Sequence, residues 1–193
     1  MSTRRLEAFT DGVLAIIITI LILGLKRPNG ATFAALWDLR HLFWVYLVSF
    51  LTLAIYWNNH HHLFQASEVV SGRILWWNFL LLLFISFFPF TTDWVGDHLD
   101  SRAPQITYGV VMLAADVVWV FLSRSLLREH GEESTLHRSL VGSKKSAFSI
   151  GIICVGLVIG WFFPPAVIIS CLISQAPWVV PDRRIEKHLR EAG

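Results

Sequence analysis

Six long apolar blocks, separated by short connections that carry most of the charge, form the dominant pattern of the chain. They cover residues 6–25, 42–58, 74–94, 105–123, 146–163 and 166–180. A helix needs about 17 to 25 residues to cross a bilayer, and the blocks are close to that length. Strands with open edges cannot span lipid, and the blocks lack the alternation of a barrel. The pattern predicts an all-α integral membrane protein, a six-helix bundle in a single domain over residues 1–193.

Composition and charge narrow the class of protein further. Hydrophobic residues make up 54% of the chain and charged residues only 16%, which is far more apolar than a soluble domain. The net charge of +2 is small, and the basic residues are spread over the connections. A nucleic-acid partner is therefore excluded, and the lipid bilayer is the expected surrounding.

The distribution of lysine and arginine predicts the orientation. If the helices alternate in direction, the N-terminus, the connections at 59–73 and 124–145, and the tail from Pro181 share one side of the membrane. These segments hold twelve of the sixteen Lys and Arg residues. Since basic connections stay in the cytoplasm, we expect a multi-pass protein of the cell membrane with both termini cytoplasmic.

The first block begins with an acidic residue at the edge of the membrane. The uncharged stretch from Gly12 to Leu25 has fourteen residues, which span only about 21 Å of a hydrocarbon core about 30 Å thick. The helix must therefore start earlier and carry Asp11 into the membrane edge, where a carboxylate needs partners. Arg5 lies about 240° around the helix from Asp11, so partners from other helices are expected.

Polar residues at the same depth on the second and third blocks are the candidate partners. We predict a polar network that locks the first three helices near the inner face and consists of Arg5, Thr10, Asp11, Trp57, Asn78 and one residue among Asn58, His60 and His61, with the two histidines favoured. The alternative is that Asp11 is an ordinary interfacial residue, stabilised at the N-terminal end of its helix by the macrodipole.

Two neighbouring stripes run along the first helix. Small residues form one stripe, which permits close approach of another helix: Ala8, Gly12, Ala15 and Thr19. Bulky apolar residues form the other: Phe9, Val13, Ile16, Ile20 and Leu23. Because the helix is apolar nearly all round, periodicity does not distinguish a functional stripe from one that faces lipid or packs against another helix.

The segment R-L-E-A-F-T-D, from Arg5 to Asp11, resembles the R-x-x-x-F-S-D signature of the transmembrane protein 175 family of potassium channels. Thr10 replaces the usual serine and keeps the hydroxyl. The resemblance implies a homotetrameric channel that conducts potassium ions passively, without a cofactor, and in which the first helix of each subunit lines the pore. It also implies that the signature, including Phe9, holds this helix in place.

The same resemblance assigns roles to the pore-facing positions. It implies hydrophobic constrictions at Ile16, Ile20 and Leu23, and a role in ion preference for Thr19. Rings of aliphatic side chains would dewet a closed pore. Since the chain contains no T-V-G-Y-G segment, we expect weaker selectivity than in channels with a carbonyl filter.

Other polar residues suggest alternatives. Three consecutive histidines, His60 to His62, point about 100° apart on a helix and cannot share one ion, so neither a metal site nor an enzyme is expected. Asp116 lies in the middle of the fourth block, where a carboxylate is a candidate ion or proton relay. A proton-coupled transporter that uses Asp11 and Asp116 is therefore an alternative function, and a non-conducting scaffold is a third.

Overall fold

The computed structural model describes residues 3–65, 67, 70–130 and 144–179. The described residues form helices joined by short connections, and the prediction of an all-helical membrane protein is confirmed. The helices are α1 (Thr3–Leu23), α2 (Phe33–Asp38), α3 (Arg40–Gln65), α4 (Gly72–Ser86), α5 (Phe88–Asp97), α6 (Arg102–His130), α7 (Lys145–Gly160) and α8 (Ala166–Val179).

In the part of the chain that the structure describes, four segments are long and apolar enough to cross a membrane: α1, α3, α4 together with α5, and α6. The two remaining apolar helices, α7 and α8, have 16 and 14 residues, which is shorter than a straight crossing of the hydrocarbon requires. The count of six spanning helices thus stays a prediction.

The third apolar block, predicted as one helix over 74–94, is divided at Phe87 into α4 and α5. Pro89 has no amide hydrogen to donate to the Ile85 carbonyl, so one rung of the helical ladder is missing. The Phe87 amide instead donates to the Phe84 carbonyl at 3.2 Å, in a tighter turn. The proline thus breaks the third block without ending its path through the bundle.

The second block continues well past residue 58, where the hydrophobic pattern ends. Helix α3 extends to Gln65, because its last turns bury one side against the bundle: His60, Leu63 and Phe64 are all buried. The hydrophobic pattern does not predict the short helix α2. Thr32 caps its N-terminus, since the Thr32 side-chain oxygen accepts a hydrogen bond from the Ala35 amide at 3.2 Å.

The centre of the bundle joins α3, α5 and α6 through hydroxyl groups. Ser49 lies 3.0 Å from the hydroxyl of Tyr108, and it accepts a hydrogen bond from Thr92 at 2.7 Å. All three side chains are buried. Interhelical hydrogen bonds of this kind hold helices together in lipid, where apolar burial alone provides little driving force.

Helices α7 and α8 pack closely because glycine faces the contact. A Cβ atom at Gly156 would lie 1.8 Å from the Ser170 Oγ atom and 2.3 Å from its Cβ atom. Small residues at such contacts let helix backbones approach within the membrane. The hairpin of α7 and α8 therefore depends on the absence of a side chain at this position.

Candidate functional site

Helix α1 presents one stripe of side chains to the rest of the subunit. The buried residues recur every three or four positions: Leu6, Thr10, Leu14, Ile17 and Leu21. This spacing places them on one face of the helix, which packs against α3, α4 and α5. The buried stripe differs from both stripes singled out in the sequence, and it is what attaches α1 to its own subunit.

The predicted constriction residues lie outside the core of the subunit. Ile16 is 62% exposed, Ile20 48% and Leu23 77%. These three side chains share one face of α1, about 120° around the helix from the buried stripe. A single subunit therefore leaves a continuous apolar face of α1 uncovered.

Thr19 lies beside this uncovered face and is also exposed. Its hydroxyl donates a hydrogen bond to the Ala15 carbonyl of the same helix at 2.8 Å. The hydroxyl proton is thus engaged within α1, while the oxygen keeps its capacity to accept. Next to Thr19, the small residues Ala8, Gly12 and Ala15 are exposed as well.

A buried chain of hydrogen bonds starts from Thr10, in the buried stripe of α1, and connects α1, α4 and α3. The side-chain amide of Asn78 donates to the Thr10 hydroxyl at 3.0 Å, and its oxygen lies 2.8 Å from the Nε2 atom of His60. Because the oxygen of Asn78 can only accept, His60 donates from Nε2. All three side chains are buried, and His60 also stacks on Phe64 with ring centroids 4.4 Å apart.

A second, more exposed contact involves the acidic residue next to Thr10. The indole Nε1 of Trp57 donates to Asp11 at 2.9 Å. His61 stacks on Trp57, with ring centroids 5.7 Å apart and an interplanar angle of 8°, and it lies 2.8 Å from the side-chain nitrogen of Gln65. The two histidines thus make different contacts: His60 forms a hydrogen bond with Asn78, and His61 stacks on the Trp57 indole that donates to Asp11.

Three residues of the predicted network stand apart from these bonds. Within the described part of the chain, Arg5 and Asn58 have no hydrogen bond or ion pair with the network, and Arg5 is exposed. Phe9 takes part through its ring, which makes an edge-to-face contact with Phe79 at 5.6 Å. The structure thus brings together Thr10, Asp11, Trp57, His60, His61 and Asn78, while Arg5 lies outside.

The segment that follows the C-terminal end of α1 is also anchored. Lys26 forms an ion pair with Asp97, the last residue of α5. This hydrogen bond raises the pKa of Lys26, and the negative charge of the same carboxylate adds to the effect. Both ends of α1 are therefore tied to the subunit through polar groups, and the uncovered face lies between them.

Asp116 has a partner that the sequence did not indicate. The hydroxyl of Tyr56, on α3, donates to its Oδ1 atom, and the Oδ2 atom has no partner among the described residues. Asp116 lines a cavity of about 10 Å³, room for about one water molecule, together with Asn59 and Gln175. The two partners are sixty residues apart, so only the packing of α3 against α6 brings them together.

Histidine, cysteine and acidic side chains do not gather into a metal site in residues 3–65, 67, 70–130 and 144–179. His60 and His61 bond in different directions, as described above.

Fold and site together define an integral membrane protein in which a polar network anchors a first helix with an uncovered apolar face. The family model described as "Endosomal/lysosomal potassium channel TMEM175" matches residues 5–89, which include the network and all of α1 except its first two residues. A protein named potassium channel from Chryseobacterium sp. is 40% identical over 99% of this chain and 100% of its own length. The chain belongs to the TMEM175 family.

Two other similarities extend over most of the chain. A protein named potassium channel from Streptomyces collinus is 31% identical over 84% of this chain and 83% of its own length. The crystal structure of a lysosomal potassium-selective channel TMEM175 homolog from Chamaesiphon minutus superposes with a TM-score of 0.80 at 26% identity. It covers 92% of this chain and 96% of the other.

Proposed function

We propose that the protein conducts potassium ions passively across the cell membrane. Four copies assemble around a common axis, and α1 of each copy lines the pore. Both termini face the cytoplasm, as the distribution of basic residues predicts. The proposal is supported by the relatives named potassium channel in Chryseobacterium and Streptomyces and by the likeness to the Chamaesiphon structure.

The single observation that carries the proposal is the two-sided character of α1. One side is buried and hydrogen-bonded within the subunit, whereas the side with Ile16, Ile20 and Leu23 has no cover in the same subunit. Lipid could cover such a face equally well. The small residues beside it favour a different partner, since Ala8, Gly12 and Ala15 permit the close approach of neighbouring copies of α1.

Conduction then depends on three aliphatic rings. From Ile16 to Leu23 the helix rises about 10 Å, so the side chains form a constriction two turns long. Rings of this kind exclude water when narrow and conduct when the helices separate or rotate. The Thr19 oxygen, which can still accept, supplies a polar group at the level of the Ile20 ring and is the proposed contributor to ion preference.

The polar network has the role of a support in this proposal. Thr10 and Asp11 bond to different helices, through Asn78 and Trp57, and thereby set the rotation of α1 about its own axis. A pore built from unsupported helices would lose its ring geometry. The network does not contact the permeating ion.

The test is a reversal-potential measurement in planar bilayers with potassium opposed to sodium. We expect unitary currents and a reversal potential closer to the equilibrium potential of potassium than to that of sodium. Ile16→Asn should increase the conductance, because a polar side chain lets water enter the constriction. Ile22→Asn is the matched control, since Ile22 is also exposed, at 44%, but lies about 120° around the helix from Ile16. Equal effects of the two variants would refute the assignment of the pore face.

The same recordings separate the other two functions. A proton-coupled transporter through Asp11 and Asp116 predicts saturable flux without unitary currents, and the relatives reported above are named as channels. A non-conducting scaffold predicts liposomes that stay tight to every cation.

A further inference from the structure

An apolar groove lies on the outer surface of the subunit, between the beginning of α6 and the end of α7. It has a volume of about 450 Å³ and is lined only by apolar side chains: Ile106, Val110, Leu157, Val158, Trp161 and Phe162. The groove shares no residue with the cavity beside Asp116 or with α1. Its volume is in the range of pockets that hold small molecules, about 300 to 1,000 Å³.

A positive charge stands at one end of this groove. The guanidinium carbon of Arg102 lies 4.7 Å from the centroid of the Trp161 ring. Arg102 precedes Ile106 by one helical turn and therefore lies on the same face of α6. The Arg102 guanidinium therefore lies directly beside Trp161, an aromatic residue that lines the groove.

Arg102 forms no ion pair with an acidic residue within the ranges 3–65, 67, 70–130 and 144–179. Among the described residues, no carboxylate lies within ion-pair distance of Arg102, whereas Lys26 is paired with Asp97. Arg102 is exposed, and stacking on Trp161 leaves the edge of the guanidinium free to donate. A guanidinium edge binds phosphate oxygens with two parallel hydrogen bonds.

Helices α6, α7 and α8 pack closely around Gly109, next to the groove. A Cβ atom at Gly109 would lie 2.5 Å from a side-chain atom of Val167 and 2.7 Å from one of Leu157, so side chains of α7 and α8 pack directly on the backbone of α6. Val110, the next residue, faces outward into the groove and is 49% exposed. Four of the six lining residues therefore belong to packed helices, while Trp161 and Phe162 lie in the short connection from α7 to α8.

We propose that this groove and Arg102 form a binding site for one anionic phospholipid. An acyl chain lies in the groove against Val110 and Val158, and the phosphate is held by the Arg102 guanidinium where tryptophan marks the membrane interface. The combination favours a lipid over other occupants: a free phosphate would use Arg102 but leave the apolar groove empty, and an uncharged apolar molecule would fill the groove without an anion for Arg102.

The test is native mass spectrometry of the full-length protein taken from vesicles of equal parts phosphatidylglycerol and phosphatidylcholine. We expect bound phosphatidylglycerol in clear excess over phosphatidylcholine. Arg102→Gln should lower the retained phosphatidylglycerol about tenfold, as expected for loss of a charge-assisted bond. Arg40→Gln is the matched control and should retain it, because Arg40 stacks on Trp37 at 5.7 Å but Trp37 does not line this groove.

A second variant tests the acyl-chain part of the site. Val110→Trp fills the groove and should reduce the retention of both lipids while Arg102 stays in place, with folding checked by thermal unfolding. Equal retention of the two lipids by the unmodified protein, or an unchanged excess in Arg102→Gln, overturns the proposal. So do displacement of the bound lipid by inorganic phosphate and a solved assembly with a second copy in the groove. None of these readouts depends on conduction, so they are independent of the proposed channel function.

Discussion

The hydrogen bonds of Asn78 provide a quantitative test of how α1 is held. Asn78→Leu keeps the approximate volume of the side chain but removes both of its hydrogen bonds, to Thr10 and to His60. Inside a membrane such bonds are worth about 0.6 kcal/mol each on average. A buried donor left unpaired, here His60 Nε2, costs about 1 to 3 kcal/mol in addition. We expect the free energy of unfolding to fall by about 2 to 4 kcal/mol.

The assay is equilibrium unfolding by sodium dodecyl sulfate in mixed micelles, followed by tryptophan fluorescence. Asn59→Leu is the control for the chemical change, because among the described residues the Asn59 side chain bonds to the Ile55 carbonyl of its own helix and to no other helix. If Asn78→Leu is no more destabilising than Asn59→Leu, the buried chain does not hold α1.

A double-mutant cycle isolates the contact between the two helices. Thr10→Val removes the hydroxyl that Asn78 bonds, so the double variant should be less destabilised than the sum of the single variants, by about 0.5 kcal/mol or more. Thr107→Val serves as the reference, since Thr107 bonds only to the Ala103 carbonyl of its own helix. Strict additivity of Thr10→Val and Asn78→Leu would argue that the two side chains do not interact.

Two further pairs of variants test the fold and the proposed pore by the same unfolding measurement. Leu21→Ala should lower the free energy of unfolding by about 2 to 4 kcal/mol, because Leu21 is 3% exposed. Leu23→Ala, on the uncovered face, should change the free energy of unfolding by less than about 0.5 kcal/mol and should raise the conductance. Equal destabilisation by the two variants would contradict this difference. Gly156→Ala should destabilise the protein by about 1 to 3 kcal/mol, because the added Cβ atom clashes with Ser170. Gly151→Ala should be neutral or stabilising, because a Cβ atom at Gly151 has nothing within 4 Å. Tolerance of both substitutions would mean that the close packing of α7 on α8 is not required.

The class of the protein and the need for partners around Asp11 could be derived from the sequence. Both follow from quantities that are local in the chain: the length of an apolar run compared with the thickness of a bilayer, and the cost of a carboxylate at its edge. Matching the depth of polar residues on neighbouring helices was enough to select Trp57 and Asn78, both of which the structure places in contact with α1.

The choice among neighbouring residues on α3 required the packed structure. Residues 58, 60 and 61 lie within one turn, so their depth in the membrane is nearly the same, and only the rotation of α3 selects His60 for Asn78 and His61 for stacking on Trp57. The exclusion of Arg5 from the hydrogen bonds and the pairing of Tyr56 with Asp116 depend on the same rotations.

Membrane insertion and helix rotation have different physical origins. For this reason the sequence by itself determines which segments enter the membrane, and only the packed structure determines how each helix is rotated. The hydrophobic effect acts on each segment as a whole, so it can be read from composition along the chain. In a helix that is apolar nearly all round, no hydrophobic asymmetry sets the rotation. Close contacts such as that at Gly156, and hydrogen bonds such as that between Thr10 and Asn78, set it instead, and they exist only once the helices have met.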